Sequence, residues 1–98
     1  MWQDHRLVGA IVFVVRFGNL TSNIMRKHLE EVGSVTKRST PVIHIAQHTI
    51  KGLVTRYSEG GSRSAAFLNS SDFLEIFVKE GSAAEELGLK SGALITVS

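Results

Sequence analysis

Apolar residues in this 98-residue chain fall in short runs separated by polar and glycine-containing turns, a pattern typical of a small β protein. The longest run, residues 7–15, reads LVGAIVFVV and is apolar on both faces, which predicts an interior strand. Gly18 and Asn19 follow in a predicted tight turn, because both residue types tolerate positive φ. Residues 42–46 and 49–55 are two further strand-like runs, and Pro41 precedes the first, where proline costs no ladder hydrogen bond.

Between these runs, residues 23–32 carry apolar side chains at helical spacing, namely Ile24, Met25, Leu29 and Val32. The spacing predicts a helix over residues 23–32, capped by Thr21 or Ser22 and ended by Gly33. Residues 34–37 are then predicted as a short strand.

The clearest local pattern is at residues 69–97. Residues 73–78, FLEIFV, predict a largely buried strand, and residues 93–97 predict a closing one. Ser82 and Glu85 have the spacing of a capping box, so a short helix is expected over residues 83–87. Gly88 is expected to end that helix in the left-handed conformation.

These elements predict one domain over residues 1–98. The fold class that suits them best is mainly β, a small antiparallel barrel of five to seven strands with two short helices, with a sandwich as the alternative. Residues 58–64 are expected to form a flexible loop. The apolar run at residues 7–15 is far shorter than the roughly 18–20 residues that cross a membrane, so no membrane partner is expected.

The composition excludes several kinds of partner and site. The net charge is only +2, from 11 basic and 9 acidic residues, which gives no reason to expect a nucleic-acid partner. The chain has no cysteine, which excludes thiol catalysis, disulfides and thiolate zinc sites, and suits a reducing, cytoplasmic location.

The spacing of histidine, carboxylate and serine residues along the chain does not indicate a metal site or a catalytic site. The chain has four histidines, and His44 and His48 lie in a strand-like stretch, where residues four apart are separated by about 13 Å at 3.3 Å per residue. No carboxylate lies near enough in sequence to complete a ligand set, so no metal site is predicted. There is no Gly-x-Ser-x-Gly nucleophile elbow, and no catalytic residue is predicted.

Residues 81–92, followed by Leu94 and Ile95, resemble the helix-turn-strand of PDZ peptide-binding modules. The alternatives this leaves open are a PDZ-like peptide-binding module or an oligomerisation barrel.

A second resemblance covers nearly the whole chain. Residues 16–24, RFGNLTSNI, are similar to the Phe-Gly-Asn-Leu-x-Thr-Asn-Ile signature of the S-adenosylmethionine (SAM) hydroxide adenosyltransferases. Residues 55–58 resemble that family's Thr-Tyr-Ser segment, and residues 69–84 resemble its Ser-x-x-x-x-Glu and Gly-Ser-Ala motifs. The family comprises adenosine-forming SAM hydrolases related to fluorinase and chlorinase, and the resemblance is to their C-terminal domain.

The resemblance implies an adenosyl-binding barrel that acts with an N-terminal catalytic domain in a homotrimer. SAM is then the substrate of the parent enzyme, with no further cofactor, and this chain alone is expected to be inactive. The ligand-binding residues for adenosine or SAM are expected to be Asn19, Tyr57, Ser70, Glu75, Val78 and Glu80. Asn19 is expected to hydrogen-bond adenine, Tyr57 to supply an aromatic surface, Ser70 and Glu75 to hold polar groups of the ligand, and the backbone of residues 78–80 to contact the adenine edge.

Three positions depart from the family pattern. Val15 and its neighbours replace an aspartate that usually precedes Phe-Gly-Asn, Asp72 replaces a glycine, and Lys79 replaces an asparagine. Changes in the contacts to the amino-acid end of SAM or to the adenine edge are expected from these substitutions.

Overall fold

A computed structural model describes residues 2–3, 6–15, 17–55 and 64–98. The described residues form eight strands and two helices. In chain order these are β1 (Trp2–Gln3), β2 (Arg6–Val14), β3 (Leu20–Met25), α1 (Arg26–Thr36), β4 (Val42–Ile45), β5 (His48–Lys51), β6 (Ser64–Leu68), β7 (Phe73–Val78), α2 (Ala83–Leu87) and β8 (Leu94–Val97).

Seven of these strands follow one another across a single antiparallel sheet in the order β5-β4-β8-β2-β3-β7-β6, and the two-residue β1 pairs with β2 beside that path. The two ends of the path approach each other, because the backbone N–H of Val54, just after β5, donates to the carbonyl of Ala66 in β6 at 2.8 Å. The sheet is therefore a nearly closed barrel, which confirms the predicted fold class.

The barrel interior is filled by aliphatic side chains from alternate strand positions. On β7 the side chains of Leu74, Ile76 and Val78 point inward, so Phe73, Glu75 and Phe77 lie on the outer face of the sheet. The remaining buried core residues are Leu7, Ile11, Leu20, Ile24, Val32, Ile43, Ile45, Ile50, Ala66, Ala83, Ile95 and Val97. Burial of this set excludes water from the interior and provides the main driving force for the fold.

The structure corrects the prediction for residues 20–36. Residues 20–25 form β3, hydrogen-bonded to β2 on one side and β7 on the other, and the helix begins only at Arg26. Ser22, expected as a possible helix cap, is buried in the sheet, where its hydroxyl donates to the carbonyl of Leu74 at 2.7 Å and accepts the N–H of Ile24 at 3.1 Å. Pairing on both sides outweighs the helical spacing of the apolar residues.

The C-terminal end of α1 also differs from the prediction. Gly33 lies inside the helix, which runs to Thr36 and ends at Lys37 in the left-handed conformation, φ 62°. Residues 34–36, expected as a strand, are the last turn of α1. Glycine weakens a helix interior without ending it when the side chains on either side pack, and here Val32 is buried against the barrel.

The structure confirms the strand, the helix and the helix end that were predicted within residues 73–88. The strand Phe73–Val78 and the helix Ala83–Leu87 have the expected bounds. The hydroxyl of Ser82 accepts the backbone N–H of Glu85 at 3.2 Å, which is the serine half of the predicted capping box. Gly88 ends α2 with φ 67°, as expected.

The middle of the chain forms the β4–β5 hairpin, with strands shorter than expected and a turn at residues 46–47. His44 and His48 lie on opposite sides of that turn, so they belong to paired strands rather than to one strand. Ser64, expected at the end of the loop, begins β6, and the rest of that loop lies outside the described residues.

Neither of the two helices in the described part of the chain is long and apolar enough to cross a membrane.

Candidate functional site

A buried carboxylate lies on the outer face of the barrel. Glu75 is only 8% exposed, although it occupies the β7 face that points away from the aliphatic core. Its cross-strand partners are Thr21 on β3 and Phe67 on β6, and Phe13 on β2 is in turn opposite Thr21. Directly opposite residues of paired strands share a face, so these four side chains form a row across four strands.

Three donors converge on this carboxylate. Nδ2 of Asn19 donates to Oε2 of Glu75 at 2.8 Å, and Nδ2 of Asn69 donates to Oε1 at 3.0 Å. The hydroxyl of Thr21 also donates to Oε1, at 3.3 Å. We refer to Asn19, Thr21, Asn69 and Glu75 as the Glu75 cluster. Hydrogen bonds from neutral donors compensate part of the desolvation of a buried carboxylate.

Asn69 ties the cluster to the turn before β7. Its Oδ1 accepts the backbone N–H groups of Ser71 at 2.9 Å and Phe73 at 3.0 Å, while its own N–H donates to the carbonyl of Phe73. Ser70 lies in this turn and is exposed. The Glu75–Asn69 hydrogen bond therefore fixes the turn that presents Ser70 to solvent.

Gly18 brings the turn before β3 against the start of α2. The carbonyl of Gly18 accepts the N–H of Ala84 at 2.9 Å. Gly18 has φ 95°, and a Cβ built there would lie 2.6 Å from Cβ and 2.9 Å from Cα of Ser82, besides overlapping its hydroxyl. Only glycine fits this close approach. The contact fixes the backbone next to Asn19, whose side chain bonds Glu75.

Asp72, at the position where the resemblance expects glycine, has φ 67°. This left-handed conformation explains why glycine is suitable there, and aspartate is among the residues that tolerate it. Asp72 also forms an exposed ion pair with Arg26, with Oδ1 3.1 Å from Nη2 and 3.2 Å from Nε. The hydrogen bond and the charge of Asp72 raise the pKa of the Arg26 guanidinium above its ordinary value.

The remaining predicted site residues have different surroundings. Val78 is 3% exposed, with its side chain in the core, and its carbonyl accepts the backbone N–H of Gly81 at 3.0 Å. Glu80 is exposed in the turn after β7, with φ 60°. Tyr57 lies outside the described residues. The structure thus brings Asn19 and Glu75 into direct contact and places Ser70 on an adjoining turn.

Two cluster members, Asn69 and Thr21, were not among the predicted site residues. Asn69 stands in the motif that carried the resemblance, immediately before Ser70, and an asparagine at the start of a predicted turn is a usual signal for a side chain that binds the following backbone. Thr21 gave no such signal, since its role depends on the β3–β7 register. Exposed aromatic rings flank the cluster, with Phe13 at 59% and Phe17 at 77% exposure.

Within the described residues, no group of three or more histidine, aspartate or glutamate side chains could hold a metal ion. The hydroxyl of Thr49 and Nδ1 of His44 are 3.3 Å apart across the β4–β5 hairpin. The polar groups of the Glu75 cluster are two amides, one hydroxyl and the carboxylate to which they donate.

Comparison with known proteins points to one family. The family model described as the SAM hydroxide adenosyltransferase C-terminal domain matches residues 9–96. No curated protein matches the sequence.

Solved structures give the same fold. An uncharacterized conserved protein from Thermotoga maritima superposes with a TM-score of 0.75 at 20% identity, covering 98% of this chain and 37% of its own. A conserved hypothetical protein from Thermus thermophilus superposes with a TM-score of 0.70 at 23% identity, covering 93% of this chain and 34% of its own. The chain thus spans about a third of the length of these two proteins.

Proposed function

This chain belongs to the SAM hydroxide adenosyltransferase C-terminal domain family, and from that membership we propose that it is the adenosyl-binding barrel of a SAM hydrolase. The proposed reaction of the parent enzyme is the displacement of methionine from the 5′ carbon of SAM by a water-derived hydroxide, which yields adenosine and methionine. The part of this domain is to bind and orient the adenosyl group. Activation of water is assigned to an N-terminal domain, so the chain alone is inactive.

The observation that carries the proposal is the Glu75 cluster. Asn19 comes from the Phe-Gly-Asn motif, Asn69 and Glu75 from the second motif, and Ser82 of the Gly-Ser-Ala motif contacts Gly18 beside them. Residues 56 positions apart in sequence thus meet at one carboxylate. Burial of a carboxylate costs free energy that the three hydrogen bonds offset only in part, and we take this cost to favour a binding role over a purely structural one.

Asn19 is proposed to hydrogen-bond the adenine base, since an amide offers both a donor and an acceptor. Ser70, on its exposed turn, is proposed to bind a polar group of the ribose or of the amino-acid end. The backbone of residues 78–80 is proposed to contact the adenine edge, and Tyr57 to stack on the ligand. Glu75 is proposed to contribute from behind Asn19 and Asn69 rather than by direct contact.

The opposite side of the binding site is proposed to come from the N-terminal domain of a neighbouring subunit in a trimer. The exposed rings of Phe13, opposite Thr21 in the sheet, and of Phe17, two residues before Asn19, suit a surface that a second domain completes.

Titration calorimetry with adenosine tests the proposal, using this chain alone and mixed with a purified N-terminal domain of a SAM hydroxide adenosyltransferase. We expect adenosine to bind more tightly to the mixture, and Asn19→Ala to weaken binding about tenfold or more, the effect of losing a hydrogen bond in a desolvated site. Gln47→Ala, in the exposed turn of the β4–β5 hairpin, is the control and should bind as the parent chain does.

Absence of adenosine binding in the mixture would contradict the proposal. Binding of a peptide C-terminus by the chain alone, with no nucleoside binding, would favour a peptide-binding module instead.

A further inference from the structure

We infer that Glu75 is a positioning residue that fixes the orientation of the Asn19 side-chain amide, and that this orientation makes the site select a base with an exocyclic amine. The inference rests on the proposed adenosyl-binding function and extends it to base specificity. It assigns Glu75 a role through Asn19, in place of the direct ligand contact that the family resemblance implies.

The orientation follows from the chemistry of the two groups. An ionised carboxylate only accepts hydrogen bonds, and the donor of an asparagine side chain is its NH₂ group. Oε2 of Glu75 lies 2.8 Å from the Asn19 amide and therefore holds Nδ2, which turns Oδ1 of Asn19 away from β7. A carbonyl oxygen facing the ligand accepts a hydrogen bond, so the group it favours on the ligand is a donor.

Asn69 cannot exchange roles with Asn19. Its Oδ1 accepts two backbone N–H groups, from Ser71 and Phe73, so rotation of this amide would break both bonds. Nδ2 of Asn69 is thereby held on Oε1 of Glu75, and Oε2 is left for Asn19. Oε1 of Glu75 therefore accepts from Asn69, whose amide is fixed by the turn, and Oε2 accepts from Asn19, whose amide is proposed to face the ligand.

This asymmetry predicts what Glu75→Gln does. The glutamine Oε1 stays on Asn69, whose orientation is fixed, and the glutamine NH₂ then faces Nδ2 of Asn19. Two NH₂ groups cannot hydrogen-bond each other, so the Asn19 amide turns over and presents its NH₂ to the ligand. The substitution keeps the size and shape of the side chain while reversing the polarity of Asn19.

Adenine and hypoxanthine differ where this polarity matters, because adenine carries an amine at C6 and hypoxanthine a carbonyl. The parent site should prefer adenosine over inosine by about tenfold or more, within the range of one well-made base contact. In Glu75→Gln the preference should fall to within about threefold, because the turned amide meets the adenine amine donor to donor.

The test is a chemical-shift titration of the isotope-labelled chain, mixed with the N-terminal domain used above, with adenosine and with inosine. Thr21→Val is the matched control, since it removes the third donor to Glu75 but leaves the Asn19–Glu75 bond. It should weaken both nucleosides alike and keep their ratio. An unchanged ratio in Glu75→Gln would overturn the inference, as would an equal loss of preference in Thr21→Val.

The free chain gives a second readout that needs no ligand. The Asn19 Nδ2 protons, assigned by their loss in Asn19→Ser, should exchange with solvent about tenfold more slowly in the parent than in Glu75→Gln, because the carboxylate bond protects one of them. Equal exchange rates would overturn the assigned orientation. If neither nucleoside binds, the proposed function and the base selection both fail, and the exchange rates show the orientation of the amide alone.

Discussion

Two acidic side chains three residues apart, Asp72 and Glu75, are held by the fold in opposite ways. Glu75 is buried, lies on a strand and accepts from two amides and a hydroxyl. Asp72 is half exposed, lies in a turn and pairs with the guanidinium of Arg26, whose side chain is 56% exposed. The acid with a charged partner is the one in water, whereas the buried acid accepts its hydrogen bonds from neutral groups within the part of the chain that the structure describes.

This difference in surroundings determines how each carboxylate affects the stability and the geometry of the molecule. An exposed ion pair is screened by water and salt and orders two flexible side chains, so it adds little to the free energy of unfolding. A buried carboxylate with several fixed donors contributes through the partners it orders, and its removal leaves those donors without acceptors. Glu75 therefore determines the geometry of the site, whereas Asp72 joins a turn to the start of α1.

The largest effect is expected from Glu75→Ala. Loss of the carboxylate deprives Asn19, Thr21 and Asn69 of their shared acceptor, so the free energy of unfolding should fall by about 3 kcal/mol. Urea denaturation of the chain measures it, with Asp72→Ala as the matched control. A loss no greater than that of the control would show that the cluster is not a structural unit.

Asn69→Ala should come next, with a loss of about 1–2 kcal/mol in the free energy of unfolding, since the N–H groups of Ser71 and Phe73 lose their acceptor but remain near water. Hydrogen exchange of those two amides locates the effect. Faster exchange there, with little change in β2, is the expected result, and uniform acceleration over the barrel would contradict it.

The smallest effect is expected at Asp72. Asp72→Gly removes the ion pair with Arg26 but also relieves the left-handed backbone, so the melting temperature should change by no more than about 2 °C. Asp72→Ala loses the pair and keeps the strain, and should melt below the glycine variant. Sodium chloride at about 0.5 M should reduce the difference between parent and Asp72→Ala, which share the backbone strain and differ in the ion pair, because it screens exposed charges. A salt-independent difference would mean that the ion pair does not account for it.

Much of the fold could be predicted because its signals are local. β7, α2 and Gly88 have their strand pattern, cap and stop within a few residues of one another, and all three were confirmed. The helix predicted over residues 23–32 was wrong at its start because β3 is defined by its pairing with β2 and β7. Both partner strands were themselves predicted, but nothing in residues 20–25 indicates that this segment pairs with them.

In the candidate site, too, some features could be predicted from the sequence and others could not. Asn19 and Glu75 were named from a resemblance to a family, and the structure adds that they contact each other. The asymmetry between Asn19 and Asn69 could not be predicted, because it depends on which backbone N–H groups the turn at residues 69–73 directs at one amide. Identities of residues indicate a polar site, while the direction of each hydrogen bond requires the coordinates.

The place of β8 in the sheet has a consequence for the rate of folding. β8 follows the other described strands along the chain, yet it lies between β4 and β2 and joins the hairpin β5-β4 to the strands β2-β3-β7-β6. Until β8 is synthesised and inserted, β4 and β2 each have an open edge, and the hairpin β5-β4 meets the strands β2-β3-β7-β6 at the Val54–Ala66 side of the barrel. Such sequence-distant pairing slows folding and exposes unpaired strands during synthesis. The nascent chain is therefore most vulnerable to aggregation just before its closing strand is added.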